Sequence, residues 1–165
     1  MESSWRKLGR RTLVPAALVA LVLLSIDDWS RDWTAYAAEI REDGPSSGAG
    51  PLVSTRPTEQ LVEAARWAAV RSGGFDFVGT AREGDLTSVA FLRTTRPFGL
   101  RDDVTLRIRD LGARRVVSGT SVSQLHVGDL GRNPRNLRRL LAELDVVLDN
   151  ATRDPAPFEA AAVGR

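Results

Sequence analysis

The sequence predicts an α+β domain: an antiparallel sheet of four to five strands with two helices on one face, in the order (β)αββββα, preceded by one N-terminal transmembrane helix. Three observations predict it. Asp102 to Arg109 alternates apolar and polar with period two, as a strand with one wet face does. Leu137, Leu140, Leu141, Leu144 and Leu148 recur at helical spacing. Between them, short turn signals join strand-like runs closely enough for a meander.

The chain opens with Arg6, Lys7, Arg10 and Arg11, followed by the uncharged run Thr12 to Ile26 and then Asp27-Asp28. Fifteen residues at ~1.5 Å rise reach ~22 Å, short of a ~30 Å hydrocarbon core. That length also suits the apolar part of a cleaved signal peptide, and a buried core helix is a third reading. The anchor is the expectation. Asp27, Asp28, Arg31 and Asp32 stand where a small-x-small cleavage site belongs, and Ala35-Tyr36-Ala37 is too far downstream. Snorkelling of Arg10 and Arg11 and local thinning accommodate a short span. The basic flank stays in the cytoplasm, which places the rest outside, periplasmic or extracellular.

Trp29, Trp33, Tyr36 and Ile40, at spacings of four, three and four, predict a juxtamembrane amphipathic helix over 27–41. Its stripe suits a lipid interface or docking on the domain equally. Residues 42–51 read as a linker and 52–149 as the α+β domain. Leu52-Val53-Ser54 is a short first strand. Pro57 and Gly73-Gly74 bracket a helix over about 57–72, with Leu61, Val62, Ala65, Ala68 and Ala69 on its apolar face. Strands follow over Phe75–Thr80, Leu86–Thr94, Asp102–Arg109 and Arg115–Ser123. In the third, Val104, Leu106 and Ile108 face in and Asp103, Thr105, Arg107 and Arg109 face out. Asn133 suits the N-cap of the last helix and Pro134 its first position. Residues 150–165 read as a flexible tail, and 1–11 as the cytoplasmic flank.

Composition excludes several functions. The chain has no cysteine, so disulfides, zinc–thiolate sites and iron–sulfur clusters are out. Its formal charge is +2, but residues 1–11 alone carry +3, so the remainder is near neutral. A nucleic-acid binder carries its basic footprint on the folded domain, and no nucleic-acid partner is expected. No cofactor or metal is expected either.

The richest stretch is Ser118 to Arg139. Asp129 lies between Gly128 and Gly131, ahead of a helix N-terminus whose free N–H groups suit an anion. Asp129, Arg132 and Arg135 are therefore anion- or partner-binding candidates, with internal capping by Asp129 as the structural reading. Asp102 and Asp103 point to opposite faces, so they form no shared-proton dyad, and one is expected to pair with an arginine or cap a turn. Asp103 joins the candidates, as does His126, the single histidine. No nucleophile elbow, P-loop or dinucleotide fingerprint is present, and no catalytic residue is assigned.

Leu100 to Arg107 resembles the F-x-D-D-V segment of the bacterial and plastid family called domain of unknown function 1499. Ser121-Val122-Ser123 with Gly128 to Asn133 is similar to its RSxSRxGxSDxGxN segment. Ser30 to Thr34 looks like the stretch before the domain in membrane-anchored members. Thr120, Gln124 and Asn136 stand where the family usually has arginine, and His126 where it tends to have glycine. The resemblance implies the fold and the address but no activity. The expected function is a membrane-tethered accessory domain of the cell envelope, binding another protein or envelope component. A binder of an apolar or lipid-like ligand comes second, and a hydrolase using His126 third.

Overall fold

The computed structural model describes residues 35–43, 50–96, 98–125 and 129–153. The described elements are β1 (Ala37–Ile40), β2 (Leu52–Ser54), α1 (Thr58–Ser72), β3 (Phe75–Glu83), β4 (Leu86–Thr95), β5 (Leu100–Asp110), β6 (Arg115–Ser123) and α2 (Arg132–Arg153). All pairings are antiparallel, in the order β1-β6-β5-β4-β3, with β2 also on β6. The α+β class and the antiparallel sheet are as the sequence predicts. The strand count is not: among the described residues the sheet has six strands.

The extra strand is β1, where the chain was expected to be helical. Ala37 to Ile40 pairs with Val122 to Gly119, and Ile40 is buried. Positions 36 and 40 share a face at helical spacing, but an even separation puts them on one face of a strand as well. The free edge of β6 decided between the two. Trp29 and Trp33 lie outside the described residues.

β1 and β2 cover one edge of β6 in series, β1 along Gly119–Val122 and β2 along Arg115–Val117. Residues 42–51 therefore connect two strands of one sheet, rather than separating an anchor from the domain. Glu42 is part of the fold, accepting from Arg109 Nε at 2.7 Å. At the other end of the chain α2 runs to Arg153 with Ala151 buried, so the first residues of the expected tail are helix.

The core lies between one sheet face and the two helices. Val104, Leu106 and Ile108 point into it as expected, and Leu137, Leu140, Leu141, Leu144 and Leu148 meet them from α2. Alanines 64, 65, 68 and 69 let α1 sit close to the sheet. At Gly119 the close approach is of α2 to β6. A Cβ there would meet Leu106 Cδ2 at 3.0 Å, Thr105 O at 3.1 Å and Leu137 Cδ2 at 3.2 Å. Among the described residues no helix is long and apolar enough to cross a membrane. Residues 12–26 lie outside them.

A chain beginning at residue 51 loses β1 and the burial of Ile40, with its edge hydrogen bonds. Relative to a chain beginning at residue 35 it is expected to be less stable by about 3–5 kcal/mol in urea melts. Gly119→Val is expected to overpack the α2–β6 contact and cost about 1–3 kcal/mol.

Candidate functional site

The register brings Arg93, Asp102 and Ser123 side by side on the helix-facing side of β4, β5 and β6. Asp102 has the same strand parity as Val104, Leu106 and Ile108, so its carboxylate enters the core rather than water. It has no solvent exposure. A buried carboxylate is tolerable only when paired and hydrogen-bonded. Arg132, in the first turn of α2, provides the pairing with a two-pronged contact: Nε to Oδ2 at 2.8 Å and Nη2 to Oδ1 at 2.7 Å. Asn136 Nδ2, one helical turn on, donates to Oδ2 at 2.9 Å, and Arg132 Nη2 reaches Ser123 Oγ at 3.0 Å.

Asn133 is not the N-cap. It lies inside the first turn of α2, fully buried, where its side chain ties three parts of the chain together. Its Nδ2 donates to Tyr36 O at 2.7 Å, and its Oδ1 accepts from Ser121 Oγ at 2.6 Å. The capping falls to Asp129, whose Oδ1 accepts from Gly131 N at 2.8 Å and Oδ2 from Asn133 N at 3.1 Å. The anion position at this helix N-terminus is thus filled by the chain's own carboxylate. The turn needs left-handed backbone at Gly131 (φ 73) and also at Leu130 (φ 53), a conformation unusual for a side-chain-bearing residue. Arg135 Nη2 donates to the Leu130 carbonyl at 2.7 Å.

The sequence candidates therefore separate. Asp129, Arg132 and Arg135 converge on one turn, where their contacts are internal to the fold. Asp103 is on the opposite sheet face, exposed, and accepts from Gln124 Nε2 at 2.9 Å. His126 lies outside the described residues. The central group, Asp102, was not among the candidates. Its parity with the apolar positions of β5 was the available signal, since it puts a carboxylate on the core face.

Beside this cluster the local charge is less balanced. Arg93 and Arg139 donate to the Gly73 and Ser72 carbonyls at the C-terminus of α1, where cations suit the helix dipole. Neither has an ion-pair partner among the described residues. Burial and the neighbouring Arg139 lower the Arg93 pKa, while Asp102 pulls it the other way. Arg93 Nε and Ser72 Oγ are buried without a hydrogen-bond partner among the described residues. Asp102 itself is poorly placed for proton transfer, because both of its oxygens are engaged and water has no access. Among the described residues no group of three or more His, Cys, Asp or Glu is arranged to hold a metal.

Two substitutions test the structural role of this cluster. Asp102→Ala strips the counter-charge from Arg132 and is expected to cost about 3–5 kcal/mol. Asn133→Ala orphans Ser121 Oγ and deprives Tyr36 O of one donor, at about 2–4 kcal/mol. Asp103→Ala, on the wet face, should stay within about 0.5 kcal/mol. Urea denaturation of the three variants measures the order.

No curated protein matches the chain significantly. A family model described as "Protein of unknown function (DUF1499)" matches residues 33–144, from just before β1 into the middle of α2. That span holds all six strands, α1, and the Asp102–Arg132–Asn133 cluster, as the sequence motifs led us to expect. The chain belongs to the DUF1499 family.

Proposed function

We propose that this chain is a membrane-tethered interaction module of the cell envelope, anchored by residues 12–26 with its domain outside the cytoplasm. The observation that carries the reading is the way the chain joins the sheet. Tyr36 O accepts from both Ser123 N, at 2.8 Å, and Asn133 Nδ2, and Ala35 O accepts from Asp129 N at 3.0 Å. Only nine residues separate Ile26 from Tyr36. The connection between the apolar segment and a residue bonded into the domain is therefore short in sequence. Processing at Ala35-Tyr36-Ala37 would cut through this attachment, which favours an uncleaved anchor over a removable signal peptide.

The interior favours contact with a partner over enclosure of a ligand. Phe91, Leu106, Ile108, Leu137, Leu140 and Leu144 are each under 2% exposed and fill the space between sheet and helices. The helix-free face of the sheet presents short, half-buried side chains such as Ser88, Ala90, Thr105 and Thr120. A second reading, binding of a small apolar ligand, has one observation in its favour. A groove of about 400 Å³ runs between α1 and β3, with Val62 and Phe77 among charged neighbours.

The tether is tested with the full chain in its native membrane. Alkaline carbonate should leave it in the pellet, and intact mass should include residues 12–26. Release by carbonate, or a mature N-terminus near Ala38, rejects the anchored reading. Ligand-induced stabilisation abolished by Phe77→Ala would favour the second reading.

A further inference from the structure

Topology gathers the start of β1, the β4–β5 turn, the loop leaving β6, the N-terminus of α2 and the C-terminus of α1 at one end of the domain. Three large apolar side chains are exposed there: Phe98 at 78%, Leu125 at 56% and Tyr36 at 44%. Arginines surround them. Arg96 and Arg101 are exposed, and beneath them Arg93 and Arg139 have no ion-pair partner among the described residues. At the opposite end most arginines are matched, Arg114 in the β5–β6 turn being the exception among the described residues. Arg109 pairs with Glu42 and Asp85, Arg115 with Asp110, and Arg82 with Glu59. Exposed aromatic and aliphatic tips among arginines suit a bilayer interface, where the tips enter the headgroup layer and guanidinium groups meet phosphate.

The length of the connecting segment points the same way, and here the inference rests on the tethered reading above. The ten residue-to-residue steps from Ile26 to Tyr36 span at most ~36 Å, so this end cannot lie far from the bilayer. The eleven residues of β5 put the far turns ~36 Å further away at ~3.3 Å per residue. From these observations we infer that the Phe98–Leu125–Arg96–Arg101 end of the domain is a docking surface for anionic phospholipid headgroups of the membrane that anchors the chain. The surface fixes the domain's orientation and leaves the α1–β3 side and the far turns facing outward.

The chain has no cysteine, so single substitutions place one label each. Phe98→Cys, Leu125→Cys and, as a far-end control, Leu111→Cys are made in the full chain and labelled with a polarity-sensitive fluorophore. Each is reconstituted into nanodiscs of phosphatidylcholine alone or equimolar with phosphatidylglycerol. The labels at 98 and 125 should shift to the blue and be quenched by spin-labelled lipid in the anionic discs, and the label at 111 should not. Adding Arg96→Gln with Arg101→Gln, both on exposed positions, should remove most of that quenching while the thermal melt is unchanged. An ionic strength of about 1 M, where screening acts within ~3 Å, should weaken it in the same direction. Labels at 98 and 125 that report water in both lipids, in a chain that is inserted, overturn the surface and leave the tether standing. Quenching that is equal in neutral and anionic discs, or unaffected by Arg96→Gln with Arg101→Gln, overturns the headgroup specificity on which the inference depends. A chain that does not insert fails the tether reading instead. In that case salt-reversible binding to anionic but not neutral vesicles supports the surface, and no binding to either overturns it.

Discussion

A carboxylate with no solvent exposure stands on the core face of β5, and the position of α2 follows from that burial. Asp102 is stable there only with its charge matched and its oxygens bonded, so Arg132 and Asn136 must lie directly above it. These two residues are four apart, one helical turn, which sets the rotation of α2 about its axis as well as its height over the sheet. The same rotation turns the leucine stripe onto β5 and β6 and brings Leu137 down on Gly119. The polar cluster and the apolar core thus specify one placement of the helix. Apolar burial provides most of the stability and is nearly indifferent to small slides, whereas a paired, desolvated charge is not.

The same first turn also determines how the chain begins. Asn133 is brought between β6 and the residues ahead of β1, where its amide bonds to Tyr36 O and its carbonyl oxygen to Ser121. The N-terminal strand is therefore held by the β6 ladder along one edge and by α2 at its start. An edge strand of four residues would be marginal by itself.

Charge is distributed unevenly over a domain whose total is close to neutral. The far turns pair Arg82, Arg109 and Arg115 with carboxylates, while at the end near β1 Arg132 is paired, with Asp102, and Arg93, Arg96, Arg101 and Arg139 have no ion pair among the described residues. Net charge averages this away. Only the folded arrangement separates the matched arginines from the unmatched ones, and that separation is what suits one end of the domain to a surface of opposite sign.

Much of the fold was legible in the sequence because it rests on local periodicity. The alternation of β5, the leucine stripe of α2, and Pro57 with Gly73-Gly74 around α1 each depend on residues close in the chain, and each is found where the pattern put it. The opposed directions of Asp102 and Asp103 follow from the same geometry, and so does the pairing of one of them with an arginine. What local pattern could not decide were features whose partners are distant in sequence. Tyr36 and Ile40 fit a helix or a strand alike, and the unpaired edge of β6, some eighty residues on, made the segment a strand. Asn133 and Asp129 both have good capping chemistry. Only the nearness of Tyr36 and Ser121 drew the first into the core and left the cap to the second. The sequence by itself determined the helices and strands from β2 onward and which of their faces are apolar. The tertiary structure decided which polar groups would be buried together, because that depends on which strands become neighbours.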